Sequence, residues 1–140
     1  MRPTMSFISL PVEDLDAARA FYGQLGWSPL RSGADHVFYA LDGLVLALVA
    51  PARLQAEGAA PGSASSVLLS HNVADEATLD ATIHAFCAAG GHLLRAKAPT
   101  PWPGARALAA DPCGLRWELV WNPRAQPTAA GGLTLGARNG

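Results

Sequence analysis

The stretch "DPCGLRWELVWNP", Asp111 to Pro123, sets one carboxylate, Glu118, in the middle of an alternating apolar segment built from Leu115, Trp117, Leu119, Val120 and Trp121. Burying a charge is costly unless a partner neutralises it. Two guanidiniums are within reach: Arg116, two residues away on the same strand face, and Arg106, from the preceding strand. An internal ion pair is therefore the structural reading of Glu118. Its functional reading is a carboxylate that receives a cationic or hydrogen-bonding ligand, or a general base and thus the candidate catalytic residue. Both readings stay open at the level of sequence.

Other reactive groups form weaker constellations. Ser70 and His71 are adjacent in a predicted strand, so they point to opposite faces and cannot pair as nucleophile and base. Cys113 lies in a turn without a histidine partner, and Cys87 falls in a helical stretch where it would pack against the fold or a second subunit. Neither cysteine has a metal-ligand spacing, and two cysteines give no disulfide framework. His71 shares strand parity with Leu69 and Val73, which makes it a helix-facing or edge residue. His36, His84 and His92 lack the i, i+4 spacing that sets two ligands on one helix face and read as surface residues. No phosphate-cradling glycine pattern precedes a helix, since "GGLTLGARNG" is terminal.

The elements that must position Glu118 come in two copies. "ISLPVEDLDAARAFYGQLGW" opens with an alternating strand, meets an acid where a helix begins, and stops at Gly26; "LLSHNVADEATLDATIHAFCAAGG" repeats the order. Setting Val12 on Val73 brings Asp14 onto Asp75, each at an N-cap where a side-chain oxygen satisfies a free N–H. The helices carry apolar stripes, Leu15, Ala18, Tyr22 and Leu25 in one and Leu79, Ile83 and Phe86 in the other. Three strands follow each helix, with an Asp42-Gly43 hairpin signal in the first half. Each half reads βαβββ. The first module spans about residues 5–50, a linker of small and turn-forming residues covers 51–65, the second module spans about 66–123, and a tail covers 124–140, where Leu133 and Leu135 could add a short edge strand.

The segments "PVEDLDAARAFYGQLGW" and "DPCGLRWEL", the latter close to D-P-D-G-x-x-x-E-L, resemble the vicinal oxygen chelate superfamily, which includes glyoxalase I, extradiol dioxygenases and bleomycin-resistance proteins. The resemblance implies an α+β fold of two βαβββ modules whose mixed sheets form an open barrel-like cleft, the glyoxalase/bleomycin-resistance fold. In the enzymes of that family a divalent metal is held by one residue near the start of the first strand and one on the last strand of each module. Carried over residue by residue, those positions are Phe7, Ala47, Leu68 and Glu118. Three of them offer no lone pair, and one acid does not hold a divalent ion. The resemblance thus implies a cleft with no metal ligands and no cofactor; the alternative is a divalent metal held by other ligands, with His71 the candidate brought in by a register shift.

Strand alternation adds Ser9 beside Phe7 and Ser70 beside Leu68 as hydroxyls of the same cleft. Trp102, in the proline-rich "PTPWPG", is set to cover a ligand or to plug the end of the sheet. Trp117, Leu119 and Trp121 belong to the core face. The ligand-binding set is therefore Phe7, Ser9, Ala47, Leu68, Ser70, Trp102, Arg106, Arg116 and Glu118.

Composition limits the function classes. Of 140 residues, 50% are hydrophobic and only 15% charged, below the roughly 25% usual for soluble domains, which leaves apolar surface for a homodimer partner. A net charge of −1, from ten basic and eleven acidic residues without blocks, gives no footprint for nucleic acid. No apolar run reaches membrane-spanning length, and "MSFISLP" is too short for a signal sequence, so the expected location is the cytoplasm. The reading preferred on sequence is a metal-independent binder of a small, partly aromatic molecule. The alternative is an enzyme of the same fold, of lyase, isomerase or dioxygenase type, using a metal or Glu118 as base. A scaffold with a cleft filled by its own side chains is the third class.

Overall fold

The computed structural model describes residues 1, 5–58, 62, 67–129 and 132–135. Strand β1 (Phe7–Pro11) leads into helix α1 (Leu15–Gln24), and the strands β2 (Arg31–Ser32), β3 (His36–Leu41) and β4 (Leu44–Val49) follow. After the short helix α2 (Pro51–Ala56) the order repeats as β5 (Leu68–Val73), α3 (Glu76–Ala88), β6 (His92–Pro99), β7 (Ala105–Ala110) and β8 (Arg116–Trp121). A hairpin of β9 (Ala125–Pro127) and β10 (Leu133–Leu135) ends the described chain.

Both helices start where the acids allow. The Asp14 carboxylate accepts the Ala17 amide at 2.9 Å and that of Asp75 accepts the Thr78 amide at 2.7 Å, each satisfying one of the amides a helix start leaves free. Both stop at a glycine with positive φ, Gly26 at 86° and Gly90 at 105°, a conformation that costs a side-chain-bearing residue energy. The segment from Trp27 to Ser32 pairs less than its alternation suggests: Pro29 has no N–H to donate, and only Arg31–Ser32 form β2, extended by the bond from the Leu30 amide to the Phe38 carbonyl. The connecting segment is helical at its start because Pro51 occupies the first turn, where its missing N–H costs nothing.

The strands form two separate four-stranded sheets, β1-β4-β3-β2 and β5-β8-β7-β6, and the sheets are not closed into a barrel. In each the outermost pair, β1 with β4 and β5 with β8, is parallel and the rest antiparallel. The two modules share one core. Tyr22 of α1 touches Tyr39 of the first sheet and Trp117 of the second, at 5.3 and 6.2 Å between ring centroids, and Phe21 meets Phe86 of α3 edge-on at 4.9 Å. Alternation fixes the rest: Leu10, Val12, Leu46 and Leu48 of the first sheet and Val73, Trp117 and Leu119 of the second all join this cluster. The opposite faces of both sheets, which carry Phe7 and Glu118, are therefore turned away from it.

A buried polar joint locks the modules. Asp111, 1% exposed, accepts the Tyr22 hydroxyl at 2.7 Å and the amides of Cys113 and Leu115 at 2.9 Å each. Trp117 Nε1 donates to the Tyr22 oxygen at 3.3 Å. Every partner is needed, because a buried carboxylate without donors is strongly unfavourable.

Candidate functional site

Glu118 sits at the centre of the second sheet, with Ser70 beside it on β5 and Leu108 beside it on β7. Strand alternation sends Arg116, Glu118 and Val120 to the outer face and Trp117 and Leu119 to the core. Arg106 is paired with Val120 in the ladder, so its long side chain reaches Glu118 diagonally across two strands. Its Nη1 donates to Glu118 Oε1 at 2.8 Å, and Ser70 Oγ donates to Oε2 at 2.9 Å. Both carboxylate oxygens are thus engaged. The glutamate side chain is 16% exposed and the arginine 39%.

Arg106 has a second neighbour. Its guanidinium carbon lies 5.5 Å from the centroid of the Trp102 ring, within cation–π range. Trp102 is held by the loop between β6 and β7, which Thr100 closes with its amide on the Gly104 carbonyl at 3.1 Å and its hydroxyl on the Trp102 carbonyl at 2.6 Å. The indole N–H is buried and has no partner among the described residues. Trp102, Arg106, Glu118 and Ser70 form a continuous chain of contacts. Beside it a hollow of about 460 Å³ is lined by the apolar Val67, Leu68, Leu94, Leu108, Ala109 and Trp117 and by two arginines, Arg95 and Arg116.

The other candidates lie on the first sheet. Phe7 meets Phe38 edge-on at 5.8 Å and is 52% exposed, while Ala47 lies between Ser9 and Phe38 in the ladder and is buried. Ser9 is exposed. Hydrogen bonds and ring contacts of these residues stay within their own sheet, as do those of the Glu118 group within theirs. A single chain therefore presents two half-sites, Phe7, Ser9 and Ala47 on one outer face and Leu68, Ser70, Trp102, Arg106, Arg116 and Glu118 on the other. Of the two arginines considered for Glu118, Arg106 makes the ion pair; Arg116 is exposed.

Two further residues differ from their sequence reading, and two keep it. His36 is not a surface histidine: its side chain is 15% exposed, Nδ1 lies 2.8 Å from both Asp35 Oδ1 and Arg53 Nη1, and α2 thereby covers part of the first sheet's outer face. Cys87 is exposed and so does not pack within the chain, because it lies at the margin of the stripe of Leu79, Ile83 and Phe86. Burial pushes the Cys113 thiol up to about 12, with Asp111 and Asp14 adding to the rise; its Sγ donates to the Asp14 carbonyl at 3.2 Å. His71 keeps the core-facing parity expected of it, and loss of solvent lowers its pKa below the ordinary 6.5.

The donor set does not suit a divalent ion. Phe7, Ala47 and Leu68 have no coordinating atom, and Glu118 is shared between a guanidinium and a hydroxyl. Among the described residues no three histidine, cysteine, aspartate or glutamate side chains cluster in a way that could hold a metal. Nor is any helix among them long and apolar enough to cross a membrane.

The features that sequence reasoning did not reach are contacts between distant segments. The Tyr22–Asp111 bond spans 89 positions, and its one legible trace is an acid opening the "DPCG" turn. Alternation sets Ser70 on one face of β5, but its bond to Glu118 depends on β5 lying parallel to β8 in a particular register.

Residues 4–119 match the family model described as Glyoxalase/Bleomycin resistance protein/Dioxygenase superfamily. Among solved structures, the chain is similar to a glyoxalase-related enzyme from Fulvimarina pelagi, with 34% identity, 96% of this chain and 99% of that one covered, and a TM-score of 0.89. A glyoxalase/bleomycin resistance protein/dioxygenase from Nocardioides shares 23% identity over 86% of this chain and 84% of its own, with a TM-score of 0.72. A lactoylglutathione lyase from Agrobacterium tumefaciens shares 21% identity over 86% and 95%, with a TM-score of 0.66; at such identities the likeness concerns the fold. Curated proteins give no match.

Proposed function

The chain belongs to the glyoxalase/bleomycin resistance protein/dioxygenase superfamily, and from that premise we propose that it binds a small, partly aromatic molecule on the outer face of the second sheet, without a divalent metal or other cofactor. One observation carries the reading: of the four positions where the family places its metal ligands, three are Phe7, Ala47 and Leu68, and the fourth, Glu118, is committed to Arg106 and Ser70. The ion pair then orients rather than reacts. With Glu118 fixing one edge of the guanidinium, the remaining N–H groups of Arg106, which have no partner among the described residues, can donate to an acceptor on the ligand. Trp102 offers an aromatic flank, and Leu68 and Leu108 offer an apolar floor.

A second copy of the chain completes the cleft in this account. Phe7 and Leu68 are 52% and 54% exposed, on outer faces that the single chain covers only in part, and large apolar groups of this kind mark an interaction surface. A homodimer that sets the first sheet of one chain against the second sheet of the other would bring Phe7, Ser9 and Ala47 opposite Glu118. Leu68→Asp should then shift the species seen by light scattering from dimer to monomer, and an unchanged mass would remove the second copy from the account.

The similarity to a glyoxalase-related enzyme at 34% identity favours a second reading, an enzyme with Glu118 as general base. In that case substrate must first displace the Arg106 guanidinium, now 2.8 Å away. Calorimetry of Glu118→Gln and Arg106→Ala against a panel of aromatic acids and amides separates the two. A binder loses affinity in both variants, most in Arg106→Ala. An enzyme retains affinity in Glu118→Gln and loses turnover. Affinity untouched in both variants would reduce the pair to scaffold.

A further inference from the structure

The two modules border a second recess, which runs from the core side of the sheets to the edge of β5 at Ser70 and Asn72. A hollow of about 290 Å³ runs between Tyr22, Trp27, Phe86 and Trp117, and another of about 700 Å³ between Trp27, Tyr39, Asp42, Asn72 and Leu133. They share Trp27, His71 and Trp117 as walls, so the pair forms one groove at the module junction. Its volume falls in the range of roughly 300–1,000 Å³ usual for small-molecule sites.

The aromatic surfaces in this groove are arranged across one another. Trp27 stands nearly perpendicular to Trp117, at 82° and 6.1 Å between centroids, and at 70° to Tyr39 at 5.5 Å. Trp27 also leans on Tyr22 at 30° and 5.0 Å, and, only half-buried, leaves part of its surface to the hollows, where an indole suits a flat guest. Charge points to its sign. Among the described lining residues Asp42 is the one formally charged group, and no lysine or arginine lines either hollow. Partial loss of solvent around its ring lowers the pKa of His71, although the residue is exposed as a whole, so it adds little positive charge. The tyrosines stay neutral, held above the ordinary 10 by burial. Negative ring faces with a single carboxylate at the rim favour a cation.

We propose that the groove between the modules is a second small-molecule site, built for a planar aromatic cation, with Trp27 as its stacking surface and Asp42 as its counter-charge. It is separate from the Glu118 ion pair: none of Trp102, Arg106 and Glu118 lines it, while Ser70 borders both and Trp117 lies between it and the hollow beside Leu68.

Two dyes of one ring frame and opposite charge test the assignment, 9-aminoacridine as cation and 9-anthracenecarboxylate as anion, titrated calorimetrically into the intact chain. The cation is expected to bind and the anion to bind weakly. Asp42 opens the hairpin turn with Gly43 at φ 71°, and Asn-Gly serves that turn equally well, so Asp42→Asn removes the charge without disturbing the fold. It should weaken the cation roughly threefold to fivefold, as expected for loss of one exposed ion pair. Asp42→Lys should reverse the preference between the dyes. Trp27→Leu should weaken the cation by up to about tenfold, with circular dichroism confirming the fold. Arg106→Ala should leave cation affinity unchanged. Equal affinity for both dyes, no heat with the cation, or a loss that follows Arg106 rather than Asp42 would overturn the proposal, the last by placing the dye on the outer face.

Discussion

Replacing Tyr22 by phenylalanine isolates a single hydroxyl at the joint between the modules. The ring itself is held by Phe21, Trp27, Tyr39 and Trp117, all within 6.2 Å between centroids, so phenylalanine keeps the packing and loses only the O–H. That group donates to Asp111 Oδ2 at 2.7 Å and accepts from Trp117 Nε1 at 3.3 Å. Both amide bonds to Asp111 fall on Oδ1, so the variant leaves Oδ2 buried without a donor among the described residues. A hydrogen bond to a charged group contributes about 1.5–3 kcal/mol, and the stranded indole N–H adds to the loss. A destabilisation of about 2–3 kcal/mol follows, roughly 6–12 °C in Tm for a chain of this size. Urea unfolding of the variant, of Asp111→Asn and of the double variant gives the coupling directly. The sign with pH is fixed as well. Burial raises the Asp111 pKa above the ordinary 3.8, against the pull of the Tyr22 and backbone hydrogen bonds. The stability tied to this group is therefore fully present below 3.8 and lost as pH rises through the folded value. Removing the Tyr22 hydroxyl raises the folded value further, so the deficit of the variant shrinks on acidification toward 3.8 and is largest at neutral pH. A loss below about 0.5 kcal/mol, an equal loss with Asp111→Asn already present, or a deficit that grows in acid would refute the reasoning.

Tyr39 gives the opposite case. Its hydroxyl is buried with no partner among the described residues, so Tyr39→Phe should be neutral or raise stability by up to about 1–2 kcal/mol in the same urea assay; a clear loss would reveal a partner. The two thiols should differ in reactivity: Cys87 is exposed, whereas Cys113 is pushed up to about 12. At pH 8 iodoacetamide should modify Cys87 and spare Cys113 in mass spectra of the folded protein, and equal modification would contradict the raised pKa of the Cys113 thiol.

The fold was legible because its signals are local. Asp14 and Asp75 cap the helices they precede, Gly26 and Gly90 end them, and alternation around Glu118 assigns each neighbour to a face. Site residues could be assigned to faces on the same basis, but which faces meet was not legible. Parity says that Phe7 and Glu118 lie opposite the core on their own sheets, and says nothing of how two sheets are oriented. That is decided by aromatic packing among Tyr22, Trp27, Tyr39 and Trp117 and by the Asp111 joint, contacts between residues far apart in the chain. The choice between Arg106 and Arg116 had a similar origin: sequence distance favours neither, and the diagonal reach across the antiparallel β7–β8 ladder selects Arg106. His36 escaped notice because its partner Arg53 comes from α2, in a stretch rich in linker residues.

Metal content tests the central claim most directly. Protein purified without chelators from medium supplemented with nickel, zinc, iron and manganese, then examined by inductively coupled plasma mass spectrometry, should hold far less than one ion per chain, since Phe7, Ala47 and Leu68 supply no ligand. One equivalent per chain that disappears in Glu118→Gln would contradict it.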